Sequence, residues 1–297
     1  MASVRSGGPG AWITGARLRT LPAAAGPVLV GGGLAWNEDG FAAGPFVAAL
    51  AGALLIQVGT NFANDYSDFA RGADTADRLG TPRVTQAGLL SPRAVRRGAA
   101  VSFSLAMAVG AYLVAIGGWP IVWIGMAGIA AGICYTGGPW PFGYHGLGDP
   151  FVFVFFGPVA VAGTAYVQLS HWPPEAWLAG AGAGALATAI LVVNNLRDRE
   201  TDAEAGKRTL AVLVGPTATR VQYSLLLAVA LAVPAVGAAA GMWPPGAVLA
   251  SGAVLLAAAP LRTVWRYEDP RALNPALAAT ARATGAYGLL FALGCLL

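Results

Sequence analysis

The chain has 297 residues, of which 56% are hydrophobic and only 11% charged, with a mean hydropathy of +0.62 and a net charge of +4. Soluble domains carry about 25% charged residues, so the composition excludes an ordinary soluble domain and predicts an all-α protein that crosses a lipid bilayer many times. The positive balance does not point to nucleic acid, because the basic residues sort by topology, and two cysteines, Cys134 and Cys295, form neither a disulfide framework nor a metal-ligand spacing.

Taken in chain order, the opening MASVRSGGPGAW lacks the short apolar core and cleavage site of a signal peptide, so the first long apolar run is read as retained. Nine apolar stretches follow, at 18–36, 43–64, 95–117, 119–136, 150–169, 175–196, 219–240, 245–264 and 276–296. Each is near the roughly 20 residues that a helix needs to cross the hydrocarbon core. Trp36, Trp119, Trp172, Trp177 and Trp243 fall at ends on one side, as an interfacial belt would. The 18 basic residues fall on the other side: Arg5, Arg17 and Arg19 before or opening the first stretch, six arginines between the second and third, five between the sixth and seventh, Arg262, Arg266 and Arg271 between the eighth and ninth, and Arg282 opening the ninth. By the positive-inside rule that side is cytoplasmic and the C-terminus is outside. An even number of spans would break the sorting.

The second stretch runs into NFANDYSDFARGADTADRLG, where the chain abruptly becomes acidic and amide-rich. On a helix, Asn61, Asp65 and Asp68 share one face and Asn64 borders it, with Asp74, Asp77 and Arg78 following in the loop. The sixth stretch runs into NNLRDRETDAEAGKR, where Asn195, Asp198 and Asp202 again stand at spacings of three and four. Acids at a helix end often do no more than stay out of the bilayer; two matched clusters after two apolar helices point further. Carboxylates gathered this way need a cation between them, and hard oxygen ligands suit Mg²⁺, which binds through a few carboxylates plus substrate phosphates.

Two such clusters with metal between them make a clamp for a pyrophosphate leaving group. Arg78, Lys207 and Arg208 are placed to add cationic contacts to its oxygens. A membrane substrate with a pyrophosphate head and an apolar tail is a polyprenyl diphosphate, and the allylic cation left by its ionisation is stabilised by aromatic faces. Tyr135, Trp140, Phe142 and Tyr144, in a Gly-, Pro- and aromatic-rich loop on the same side, are the candidates. His145 and His171 lie on opposite faces and form no metal pair, and there is no Walker A loop. Clusters after the second and sixth helices suggest two related four-helix halves plus a ninth helix, in one domain over 1–297.

These motifs resemble those of the UbiA superfamily of intramembrane prenyltransferases. The segments RTLPAAAGPVLVG, GTNFANDYSDFARGADTADRLG, RVTQAGLLSP, YTGGPWPFGYHGLGD and NNLRDRETDAEAGKRTLAVLVG are similar to its branch that prenylates 1,4-dihydroxy-2-naphthoate in menaquinone biosynthesis. The resemblance covers the chain to about Gly215. It implies nine transmembrane helices around a central cavity under cytoplasmic cap loops, Mg²⁺ dependence, and transfer of a polyprenyl group to the naphthoate with loss of CO₂ and pyrophosphate, giving demethylmenaquinone. Carried over by position, Asn64, Asp65, Asp68, Asn195, Asp198 and Asp202 match metal-binding positions, with Asp65, Asp68, Asp198 and Asp202 the catalytic acids. Asn61 belongs to the same metal–pyrophosphate motifs, and Asp74, Asp77, Arg78, Lys207 and Arg208 match the adjoining loop positions; with Asn64, Asn195 and the aromatic candidates Tyr135 and Tyr144 they are the expected substrate-binding residues. The motif of 4-hydroxybenzoate relatives has a further Asp where this chain has Gly72, which favours the naphthoate branch and leaves open which of Asp74 and Asp77 touches metal. Arg19, Gln57 and Gln86 are candidate partners for the acceptor carboxylate. The alternatives are another acceptor, such as homogentisate or 4-hydroxybenzoate, and an ion-coupled transporter. Against a transporter, the acids lie at one membrane face rather than at the midplane.

Overall fold

The computed structural model describes residues 6–73 and 79–297; Asp74, Asp77 and Arg78 lie outside the described residues. Among the described residues all regular structure is helical. In order the helices are α1 (Pro9–Ala16), α2 (Leu21–Asn37), α3 (Ala43–Ala70), α4 (Pro92–Gly117), α5 (Trp119–Cys134), α6 (Gly148–Val154), α7 (Ala160–Leu169), α8 (Glu175–Arg197), α9 (Arg199–Glu204), α10 (Leu210–Ala239), α11 (Leu249–Val254), α12 (Ala258–Arg266) and α13 (Leu273–Gly294). A π-helical segment, Phe155–Val159, joins α6 to α7, and short 3₁₀ turns flank α11.

Among the described residues, seven units are long and apolar enough to cross a membrane: Ala43–Ala70, Pro92–Gly117, Gly148–Leu169, Glu175–Arg197, Leu210–Ala239, Pro245–Arg266 and Pro270–Gly294. The remaining two predicted stretches coincide with α2 and α5, of 17 and 16 residues. All nine apolar stretches therefore fall on helices, with α3 running on past its predicted end to Ala70 and α10 starting nine residues early. The early start includes a break at Gly215, whose φ of +79° is open to glycine at no steric cost. At the N-terminus of α4, Ser91 Oγ accepts from the Ala94 N–H at 3.2 Å and Pro92 supplies the preset φ of a first turn.

At the centre stands α8, with 78% of its most apolar window buried. Its Gly–Ala sequence is the reason: small residues let backbones approach where lipid supplies no hydrophobic drive. A Cβ on Gly184 would lie 2.5 Å from the Phe153 carbonyl oxygen, and one on Gly180 2.6 Å from Pro158. The π segment packs here, across Gly157 and Pro158, while α13 and α10 close the other sides. Outward faces carry large apolar side chains such as Leu225, Leu255 and Trp123.

Two expectations are corrected. Trp243 is buried, donating from Nε1 to the Pro234 carbonyl at 2.9 Å and packing edge-on to Phe291, so it belongs to the core and not to an interfacial belt. Arg282 does not open its helix; it stands more than two turns inside α13, exposed.

Candidate active site

The motif-bearing ends of α3 and α8, the loop after α5 and the start of α10 meet at one end of the bundle. They ring the mouth of a cavity of about 770 Å³. Its mouth is polar, with Asn64, Asp68, Arg83, Tyr144, Asp202 and Lys207 on the wall. Farther in the wall becomes apolar, through Ile56, Ile129, Phe155, Phe156 and Ile190. Apolar walls with a few convergent polar groups are the ordinary form of a ligand site.

At 100° per residue, Asp65 stands about 60° round α3 from Asp68, enough to send the two carboxylates to different places. Asp68 faces the mouth and is fully buried by its partners: Arg83 Nη2 at 2.5 Å from Oδ2, Lys207 Nζ at 3.3 Å from Oδ1, and the Tyr144 hydroxyl donating to Oδ1 at 2.8 Å. A buried carboxylate persists only when paired and hydrogen-bonded in this way. Lys207 Nζ also lies 4.8 Å from the Tyr144 ring centroid and 4.0 Å from Asp202 Oδ1. Asn64 accepts from Thr136 Oγ1 at 3.0 Å, tying α3 to the loop after α5. Asn61 donates to the Ala16 carbonyl at 3.0 Å and to Thr20 Oγ1 at 3.3 Å. Asp65 is not on the cavity wall: its oxygens accept from the backbone N–H groups of Val84 and Thr85 at 2.9 and 3.0 Å and from the Thr85 hydroxyl.

The second cluster does not lie on one continuous helix. α8 ends at Arg197 and α9 starts at Arg199, with Asp198 in non-helical geometry between them. Arg197 grips Asp198 with two bonds, 2.8 Å from Nε and 2.6 Å from Nη2. Its other contacts are Asn194 Oδ1 at 2.8 Å and Asn274 Oδ1 at 3.0 Å. Asn195 donates to Asp149 Oδ1 at 3.4 Å, and Gln222 to Oδ2 at 2.7 Å. Asn195, Asp198 and Asp202 all line the cavity.

Tyr135 follows the last residue of α5 and packs edge-on to Phe142, 5.5 Å between centroids. Part of its ring faces the cavity. Phe142 stacks on Phe151 at 4.1 Å, which continues the aromatic wall inward. Trp140 stacks instead on His145 and is exposed, and the Arg208 side chain is exposed and off the cavity wall; its backbone N–H holds the Tyr144 carbonyl at 2.9 Å. Of the acceptor candidates Gln57 lines the cavity, whereas Arg19 and Gln86 are exposed.

Sequence reasoning misses Arg83, Arg17, Asp149 and Arg197. Arg83 and Arg17 read as topology-marking charges, and only tertiary contact puts them on the cavity wall. Asp149, by contrast, closes the Gly-rich GYHGLGD segment, where an acid at the start of an apolar stretch was a usable signal.

No three His, Cys, Asp or Glu residues gather tightly among the described residues. Asp68, Asp198 and Asp202 nevertheless supply hard oxygens on one wall, a set that fits a cation which arrives with phosphate oxygens and completes its shell with them.

A family model described as the UbiA prenyltransferase family matches residues 24–287. The 1,4-dihydroxy-2-naphthoate octaprenyltransferase of Mycobacterium tuberculosis is 42% identical over 85% of this chain and 86% of its own length. The Escherichia coli protein of the same description is 38% identical over 97% and 95%. A solved UbiA homolog from Archaeoglobus fulgidus, bound to GPP and Mg²⁺, superposes with a TM-score of 0.63 at 16% identity, over 94% of this chain and 99% of its own.

Proposed function

The chain belongs to the UbiA prenyltransferase family, and we infer that it is a multi-pass membrane enzyme that transfers a polyprenyl group from polyprenyl diphosphate to 1,4-dihydroxy-2-naphthoate in menaquinone biosynthesis. Relatives of that description cover most of the chain at 32–42% identity. The observation that carries the site reading is the convergence of both acidic motifs on the mouth of one deep apolar cavity. A diphosphate belongs at the mouth and a prenyl tail along the apolar wall.

In this reading Asp68, Asp198 and Asp202, with Asn64 and Asn195, hold Mg²⁺ and the diphosphate; the Archaeoglobus fulgidus homolog of the same fold is bound to GPP and Mg²⁺. Bound there, the cation neutralises the charge that grows on the departing pyrophosphate. Lys207 and Arg83 stand on either side of Asp68, on Oδ1 and Oδ2 respectively, and supply the cations for the diphosphate oxygens. Tyr144 orients Asp68, and Tyr135 and Phe142 present aromatic faces where the allylic C–O bond breaks. The ring carbon of the naphthoate takes up the prenyl carbon, the carboxyl group leaves as CO₂, and the electron pair of that bond restores the aromatic ring; the product is the quinol form of demethylmenaquinone. Asp74, Asp77 and Arg78, in the loop beyond α3, complete the site in the same proposal.

Nine spans, with α2 and α5 crossing as the shorter ones, put the mouth on the cytoplasmic side and the C-terminus outside, because the basic residues collect there. The two motif-bearing helices are then second and sixth, in two four-helix halves followed by α13.

The test is an assay of the purified, detergent-solubilised protein with farnesyl or geranylgeranyl diphosphate, 1,4-dihydroxy-2-naphthoate and Mg²⁺, read by mass, with an EDTA control. A metal-dependent prenylated and decarboxylated naphthoquinol is expected. Product only with 4-hydroxybenzoate or homogentisate would overturn the acceptor and keep the two-motif chemistry.

A further inference from the structure

The motif spacing puts four polar side chains near one face of α3, yet one of them is used differently. Asp65 is 1% exposed and three donors converge on its two oxygens, all from residues 19 or 20 positions along the chain. Those donors begin a compact turn in which the Ala87 N–H bonds the Arg83 carbonyl at 2.9 Å and the Gly88 N–H bonds that of Thr85 at 3.1 Å. A carboxylate that accepts the first free N–H groups of such a turn acts as its cap. Val84, wholly buried, packs with Phe62, Leu90 and Val95 and fixes the same turn from its apolar side.

The residue just before these donors is Arg83. With Val84 and Thr85 pinned, its guanidinium crosses to Asp68, one turn along α3 from Asp65, and stands on the cavity wall. Two neighbouring carboxylates of one helix thus share a single turn, one holding its backbone and the other receiving its cation.

We propose that Asp65 is a positioning residue, whose cap on the 83–88 turn delivers Arg83 to the mouth of the cavity as a cation for the diphosphate. It is not a metal ligand, because, unlike Asp68 and Asp198, it has no face on the cavity, and all three of its donors belong to the turn. The chemistry requires a carboxylate here: an amide in its place offers one acceptor oxygen and turns an NH₂ toward N–H donors. The proposal rests on reading the Asp68 end of the cavity as the diphosphate site.

The test uses full-length protein in detergent with two probes, Mn²⁺ alone and inorganic pyrophosphate in the presence of Mn²⁺. Charge-assisted contacts of this kind set the scale, so Asp65→Asn and Arg83→Gln should each weaken pyrophosphate about tenfold. The double variant should lose about the same tenfold, because the two act through one contact. Mn²⁺ affinity of Asp65→Asn should stay within about twofold of the parent, while Asp68→Asn loses more than about tenfold. Thr85→Val, which removes only the hydroxyl bond, should weaken pyrophosphate in the same direction by less, and it decides the matter if Asp65→Asn does not fold.

Loss of Mn²⁺ binding in Asp65→Asn would make it a ligand and overturn the proposal. So would losses that multiply in the double variant, or a fall in thermal stability with pyrophosphate binding intact. Asp68→Asn separates the two levels: unchanged binding of both probes in that variant would sink the diphosphate reading itself, and the proposal with it.

Discussion

Arg197 and Asp198 are adjacent in sequence, both almost fully buried, and joined by two parallel bonds of 2.8 and 2.6 Å. The same guanidinium reaches Asn274 on α13, whose amide in turn holds the Leu79 carbonyl at 2.9 Å. A Cβ on Gly80 would lie 2.5 Å from Arg197 Nη2, so glycine is what lets the chain cross so close to the guanidinium. Arg197 is thus the joint between the end of α8, α13 and the chain after the first motif. Arg197→Met takes the two-bonded cation away from buried Asp198, a loss of up to about 3–5 kcal/mol, and thermal unfolding in detergent should register it. Arg197→Lys keeps the charge but not the fork; it should fold and turn over more than about tenfold slower, since a point charge cannot hold Asp198, Asn194 and Asn274 together.

Tyr144 meets Asp68 through its hydroxyl and Lys207 through its ring face. Tyr144→Phe separates the two contacts. A hydrogen bond to a charged group is worth about 1.5–3 kcal/mol, so the variant should raise the KM for prenyl diphosphate about tenfold or more while the melting temperature moves little. Steady-state kinetics at varied donor concentration checks this, and an unchanged KM would remove Tyr144 from the diphosphate end.

Hydropathy and charge placement made the helices legible, because a span must be apolar throughout and its flanks must carry the topology signal. The two motifs were legible because matched sets of Asn and Asp at helical spacing follow two separate apolar helices, which a single solvated helix end does not require. What helical spacing could not resolve was a 60° difference in direction. Asp65 and Asp68 look equivalent on a wheel, and only the fold of the 83–88 turn, a non-local contact, separates a cap from a wall residue. α1 was missed altogether, being eight residues long and ahead of the first apolar run, although Trp12 anchors it edge-on to Phe62. At Arg208 the sequence pointed to the charge, whereas the contact the fold makes is through the backbone N–H, to the Tyr144 carbonyl.

α2 and α13 touch backbone to backbone. A Cβ on Gly288 would sit 2.2 Å from the Gly26 carbonyl oxygen, and one on Gly26 2.6 Å from that of Thr284. Neither atom is the flexible end of a side chain, so the helices themselves must move apart. Gly288→Ala should cost about 1–3 kcal/mol, the usual penalty of overpacking, and the loss should appear in thermal unfolding. α2 supplies Ala23, Ala24 and Val28 to the cavity wall, so kcat should fall as well. A variant as stable and active as the parent would show that this crossing does not set the cavity.

The acceptor end of the site can be tested with residues that look alike in the sequence. Arg19, Gln57 and Gln86 each offer a carboxylate a cation or an amide, yet only Gln57 reaches the cavity, one turn of α3 before Asn61 and two before Asn64. There its amide donates to Thr20 Oγ1 at 3.4 Å, beside Arg17, which also lines the wall. This polar patch offers a naphthoate carboxylate or hydroxyl donors on the wall near α1 and α2. Gln57→Ala should therefore raise the KM for 1,4-dihydroxy-2-naphthoate about tenfold, the scale of one hydrogen bond to a charged group, with the KM for prenyl diphosphate unchanged. Arg19→Ala and Gln86→Ala should leave both within about twofold, as surface substitutions do. If Gln57→Ala raised the donor KM instead, the prenyl tail and not the acceptor would occupy the wall beside α2, and the carboxylate partner would have to be sought nearer Tyr144.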